Sequence, residues 1–153
     1  MFDEELWAVP RNRPLTLRDG TLVLPVEAVV GERDGSTCVI NRDGGTDWKI
    51  GGFTRGGSQP ALGERQDGTL VALMRKYPRI TEIQSRDRGE TWTKATATEL
   101  KNPDAGISLT PLANGHWVIV YNDSETHRTP LSIARSTDEG RTWSDLEVIG
   151  PGF

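Results

Sequence analysis

The chain of 153 residues has a single cysteine, Cys38, so no internal disulfide can form. Cys38 lies in a strand-like run, Ser36-Thr37-Cys38-Val39-Ile40, with no histidine nearby, and reads as a buried structural thiol rather than a nucleophile. No apolar run approaches the roughly 20 residues of a membrane-spanning helix. The N-terminus, Met1-Phe2-Asp3-Glu4-Glu5, is acidic and without an apolar core, so it is not a secretory signal; as written, the chain would stay in the cytoplasm. Basic residues are not in excess. Eighteen Lys and Arg against 22 Asp and Glu leave a net charge of −4, the wrong sign for a nucleic-acid surface. The two histidines, His116 and His127, and the one cysteine show no metal-ligand spacing, and no cofactor is expected. Helical periodicity is also missing.

What remains is a chain built of short strands and turns. Seventeen glycines and nine prolines suit that design. Three times an Asp-Gly or Asn-Gly turn is followed, after two short apolar runs, by an Asp/Gly-rich turn ending in tryptophan. Two copies of that second turn are regular: Ser85-Arg86-Asp87-Arg88-Gly89-Glu90-Thr91-Trp92 and Ser136-Thr137-Asp138-Glu139-Gly140-Arg141-Thr142-Trp143. A worn copy runs Asn41-Arg42-Asp43-Gly44-Gly45-Thr46-Asp47-Trp48. The tryptophans at 48, 92 and 143 are 44 and 51 residues apart, the period of propeller blades.

Each unit divides into four strands. The first gives 14–17, the Asp19-Gly20 turn, 21–26, 37–40 and 48–53, after an opening strand Leu6-Trp7-Ala8. The second gives 59–63, the Asp67-Gly68 turn, 69–74, 80–84 and 92–98. The third gives 106–111, the Asn114-Gly115 turn, 116–121, 131–135 and 143–149. The run Thr69-Leu70-Val71-Ala72-Leu73-Met74 is apolar nearly throughout, as a strand covered on both faces would be. The fold expected is all-β: a β-propeller of about three four-stranded antiparallel blades, near 10–54, 57–100 and 104–150, within a single unit 1–153.

The tryptophan turn resembles the Asp-box, or BNR repeat, of sialidase-like proteins. Ser85, Asp87, Gly89, Thr91 and Trp92 match the pattern Ser-x-Asp-x-Gly-x-Thr-Trp, as do Ser136, Asp138, Gly140, Thr142 and Trp143; Asp43, Gly45 and Trp48 survive in the worn copy. The carboxylate can accept N–H groups of its own turn, glycine supplies the backbone angle, and tryptophan covers the hairpin end. The box is therefore read as a fastener, with no catalytic role for Asp43, Asp87 or Asp138.

Antiparallel geometry places the Asp-Gly turns and the boxes on one face of the blades. The entries to each first strand and the loops between second and third strands share the other. Loops on a rigid scaffold are where binding usually sits. Eight residues beyond Asp19, Asp67 and Asn114 stand Glu27, Arg75 and Asn122, each read as ending a second strand. Arg13-Pro14, Gln59-Pro60 and Asn102-Pro103 are read as matching entry positions. A ring of Arg13, Gln59, Asn102, Glu27, Arg75 and Asn122 would suit a polyhydroxylated or carboxylated ligand, since arginine forks grip carboxylates and Asn, Gln and Glu match hydroxyls. The bland alternative is that these residues satisfy loop backbone at strand ends.

Longer segments extend the likeness to bacterial BNR-repeat sialidase-like proteins, among them Asn12-Arg13-Pro14-Leu15, the run from Asp67 through Arg75, Asn102-Pro103-Asp104-Ala105-Gly106-Ile107 and Val120-Tyr121-Asn122. The resemblance implies a propeller of five to seven blades, six in sialidases. It also implies an arginine triad for the sialate carboxylate, an aspartate acid/base, and a tyrosine nucleophile assisted by glutamate. Arg13 and Arg75 are the candidates for the triad, while Tyr77 and Tyr121 lack the context of the nucleophile. Two functions follow: a sialidase-like exo-glycosidase, or part of one, acting on an acidic sugar, or a non-catalytic carbohydrate- or protein-binding scaffold. Because propellers close with four to eight blades, three leave unpaired edges. The chain is expected to be part of a ring, or a protomer whose ring a second copy completes.

Overall fold

A computed structural model describes residues 6–150. The N-terminal segment read against a secretory signal, residues 1–5, and the last three residues lie outside that span. Thirteen strands form three antiparallel sheets. The first holds β1 (Leu6–Pro10), β2 (Leu15–Thr16), β3 (Leu22–Val30), β4 (Arg33–Asn41) and β5 (Lys49–Ile50). In the second, β6 (Ser58–Glu64), β7 (Leu70–Arg75), β8 (Arg79–Ser85) and β9 (Thr96–Lys101) follow in spatial order. The third repeats this with β10 (Ser108–Pro111), β11 (Trp117–Asn122), β12 (Leu131–Ser136) and β13 (Ser144–Gly150). These sheets resemble propeller blades, and the three of them do not close a ring.

The first hairpin of every sheet is set by the same turn. Gly20, Gly68 and Gly115 take φ of 88°, 81° and 84°, and their N–H groups donate to the carbonyls of Leu17, Arg65 and Leu112. Asp19, Asp67 and Asn114 accept the N–H two residues on, at 3.0, 2.9 and 3.1 Å. Glycine is needed there because an L side chain pays for the left-handed angle.

The middle sheet carries the core. Leu70, Ala72 and Met74 of β7 pack with Leu17, Val23, Cys38, Ile40, Leu62 and Ile83 toward the first sheet. Val71 and Leu73 point the other way, into a cluster with Ile107, Leu109, Trp117, Ile119 and Tyr121 of the third. The five apolar side chains of β7, Leu70 to Met74, are essentially fully buried, as the uninterrupted apolar run predicts. At about 25 cal/mol per Å² of apolar surface, such burial is the main favourable term in the fold. Cys38 is buried in this packing, as expected; burial chiefly, with the Asp87 charge, pushes its thiol up to about 12.

Three expectations change. The segment 27–36, read as a loop, is a tight hairpin: β3 and β4 pair without a break from Leu22↔Asn41 to Val30↔Arg33, turning at Gly31 and Glu32. Buried Val26 and Ala28 continue the alternation of the strand, and Gly31 adopts φ 60°. Glu27 therefore sits mid-strand, opposite Val9 and Ser36, rather than at a strand end. The longer β3 gives β1 an edge to join, so β1 and β2 are two pieces of one strand interrupted by Arg11-Asn12-Arg13-Pro14. The fourth strands also begin later than Trp48 and Trp92, at Lys49 and Thr96.

Candidate functional site

The two regular boxes are superimposable in their bonding. Ser85 Oγ donates to Asp87 Oδ1 and accepts from Gly89 N, while Asp87 accepts the N–H and hydroxyl of Thr91. Ser136, Asp138, Gly140 and Thr142 repeat every bond. Partial burial raises the Asp138 carboxyl, but the Thr142 hydroxyl and N–H, the Ser136 hydroxyl and the Arg141 N–H outweigh it and hold it at about 2. The opposing causes give Asp87 the same downward direction. Trp92 and Trp143 pack against the two core clusters.

The worn copy works differently. Buried Asn41 stands where serine would be and donates to the carbonyls of Gly45 and Asp47 while accepting from Gly44 N. Asp43 caps Gly45 N, and Trp48 is 49% exposed and, unlike Trp92 and Trp143, joins neither core cluster.

Each regular box also reaches the turn of the preceding sheet. Arg88 pairs with Asp19. Glu139 accepts from Gln66 N (2.9 Å) and offers its carbonyl to Arg65 Nε (3.1 Å), and Arg141 lies 3.9 Å from Asp67. On this face a cleft of about 430 Å³ opens between Arg18, Glu64, Gln66, Leu112, Asn114 and Glu139. Its polar groups are engaged with one another: Glu64 accepts from Arg18 N, and Arg18 Nη1 donates to the Gln66 carbonyl. The cleft thus lies at the box face, away from the residues named from sequence.

On the opposite face the structure brings part of the ring together. Gln59 sits in a bulge between Ser58 and Ala61, with φ 52°. Its amide nitrogen lies 3.4 Å from Glu27 of the first sheet, and its oxygen faces Gly106 of the third. Asn12 donates to the carbonyls of Gln59 and Pro60, both at 3.1 Å. Arg75, at the end of β7, forms a bidentate pair with Asp104: Nε to Oδ1 is 3.0 Å and Nη2 to Oδ2 is 3.1 Å. The Asp104 hydrogen bond first, then the charges of Asp104 and Glu27, raise the Arg75 pKa against partial burial. Glu27 lies 3.7 Å from Arg11.

The other ring members differ. Asn102 is fully buried and closes its own loop, donating to the Ala105 carbonyl and accepting from Ala105 N, each at 3.0 Å. Asn122 donates to the carbonyls of Arg128 and Pro130. Both amides brace backbone. Arg13 is exposed and makes no hydrogen bond or ion pair with another described residue. Counted from the shared turn hydrogen bonds, in which Leu17, Arg65 and Leu112 correspond, the positions matching Gln59 are Arg11 and Gly106, not Arg13 and Asn102. Sequence reasoning also left Asn12, Asp104 and Arg128 out of the ring. Arg128 Nη2 donates to the Asp104 carbonyl at 3.1 Å. Among the described residues no cluster of His, Cys, Asp and Glu could hold a metal, and no helix is long and apolar enough to cross a membrane.

Repeated four-stranded sheets, fastened by Asp-boxes on one face and carrying a polar rim on the other, define a blade-repeat protein. A BNR repeat-like domain matches residues 6–152, and the chain belongs to that family. It is 29% identical over 147 residues to a sialidase of Bacteroides fragilis, covering 87% of this chain and 27% of that protein. Among solved structures, a Hadza microbial sialidase aligns over 96% of this chain and 31% of its own, with a TM-score of 0.83 and 24% identity. A sialidase of Trypanosoma rangeli aligns over 80% and 22%, with a TM-score of 0.68 and 22% identity. The chain spans about a fifth to a third of the length of these relatives.

Proposed function

We propose that the chain supplies three blades of a six-bladed sialidase-like propeller and that its polar rim binds a sialic acid or a related acidic sugar. The observation that carries this reading is the convergence of Glu27, Gln59 and Arg75, from the first two sheets, on the face opposite the boxes; Arg13 is exposed one residue beyond Asn12, which holds the Gln59 carbonyl. A guanidinium there matches a sugar carboxylate, and the amide and carboxylate beside it match hydroxyls. The remaining blades come from further chain or from a second copy; light scattering on the purified protein separates these. Arg13→Ala and Arg75→Ala are expected to lose binding of N-acetylneuraminate or glucuronate by at least tenfold each, read by calorimetry. Unchanged affinity in both variants would sink the reading.

A second reading, a non-catalytic carbohydrate- or protein-binding scaffold, is favoured by the two tyrosines. Tyr121 is buried, and burial first, then the charges of Asp123 and Glu99, push its phenol up to about 12. Tyr77 is 60% exposed in the turn between β7 and β8. Neither is set up as an activated nucleophile. Turnover of a sialoside or uronide by the purified chain would rule the scaffold reading out.

A further inference from the structure

The acidic-sugar reading places an arginine at the rim, and the structure puts a carboxylate of the chain itself in that arginine's grip. Arg75 holds Asp104 through Nε and Nη2 at 3.0 and 3.1 Å. This two-point geometry is the one by which a guanidinium takes any carboxylate, whether from a side chain or a ligand. The order of the layers matters. The Asp104 side chain is 53% exposed and that of Arg75 only 23%, so the carboxylate is the outer member of the pair and the fork lies beneath it.

Asp104 is held in place by its surroundings. Its backbone is left-handed, φ 59°, an angle that aspartate and asparagine accept more readily than other non-glycine residues. Fully buried Asn102 closes the loop through its two bonds to Ala105, and Arg128 holds the Asp104 carbonyl at 3.1 Å. Arg75 first, then Arg128 and Lys76, pull the Asp104 carboxyl below its ordinary range despite partial burial. Three cations thus surround one internal anion, and a ligand acid approaching from solvent meets that anion before it meets the fork.

We infer that Asp104 is the specificity-determining residue of this rim: it occupies the Arg75 fork as an internal carboxylate, and an acidic ligand binds by displacing it. This rests on the acidic-sugar reading of the site. Exchange of one carboxylate for another keeps both guanidinium hydrogen bonds, so displacement costs chiefly the reordering of a preformed loop. A neutral sugar gains nothing from the exchange. Asp104 therefore sets the threshold at which the rim accepts acids and leaves its hold on neutral sugars untouched.

The test is a calorimetric titration of wild type, Asp104→Asn and Arg75→Ala with N-acetylneuraminate, glucuronate and neutral methyl glucoside. The Arg75 side-chain Nε–H resonance is followed by ¹H–¹⁵N NMR in parallel. Asparagine keeps the shape and tolerates the left-handed angle but gives up the charge; Asp104→Ser serves if that variant fails to fold. Release of a charge-assisted pair predicts roughly tenfold tighter acid binding in Asp104→Asn, with methyl glucoside unchanged. The wild-type Nε–H signal shifts on adding either acid. Weaker acid binding in Asp104→Asn, or an equal change for the neutral probe, would overturn the inference and make Asp104 a strut that positions Arg75. If wild type binds acids through Arg75 but Asp104→Asn gains nothing, only this inference falls. If no variant binds an acid, the acidic-sugar reading falls with it.

Discussion

The side-chain amide of Asn12 donates to two successive carbonyls of the neighbouring sheet, those of Gln59 and Pro60, each at 3.1 Å. One side chain from the interruption between β1 and β2 thus anchors the bulge that gives Gln59 its left-handed backbone. Asn12→Ala removes both bonds and is expected to destabilise the fold by about 1–2 kcal/mol. Urea denaturation reads the loss. It should also free Gln59 from its place beside Glu27, so Asn12→Ala weakens sugar binding, whereas a surface change such as Lys94→Ala does not.

Gly140 and Gly20 separate two costs of replacing a turn glycine. Both have positive φ, 81° and 88°. A Cβ at Gly20 meets open space, whereas one at Gly140 would stand 2.7 Å from the Trp117 ring. Gly20→Ala should therefore cost only the backbone term, about 1 kcal/mol. Gly140→Ala adds overpacking against a fully buried tryptophan and should cost about 2–4 kcal/mol. Equal losses in thermal melts of the two variants would contradict the contact.

The boxes give the fold an acid-sensitive element. Asp138 is held at about 2 when folded, below the roughly 4 of an unfolded aspartate. A depressed folded pKa contributes stability above the unfolded value and loses it as pH falls through the folded one. Wild-type stability should accordingly decline between about pH 4 and pH 2, with Asp87 contributing in the same direction. Asp138→Asn should be less stable at pH 7 and show a shallower acid limb, read by denaturant melts across that range.

The repeat was legible because its determinants are local. The Asp-Gly turn and the Asp-box each satisfy their own backbone within a few residues, so their spacing alone counted the sheets, and the apolar run of β7 announced burial on both faces. The rim was less legible because bulges intervene. An irregularity at 59–60 and another at 11–14 shift each entry against its turn, which misaligned Arg13 and Asn102 with Gln59. Glu27 reads as a strand end in the sequence because its hairpin partner, Ser36, lies beyond a turn read as open loop. The Arg75–Asp104 pair joins residues 29 apart, one ending β7 and the other in the link just after β9 of the same sheet, and only the pairing of β7, β8 and β9 brings them together.

The contacts between boxes and turns have a direction along the chain. Arg88 reaches back to Asp19, and Glu139 and Arg141 reach back to 65–67. A nascent chain emerges N-terminus first, so each of these two turns leaves the ribosome before the box that latches it. The first and second sheets thus gain their latch only once the next sheet has been made, like two teeth of a ratchet.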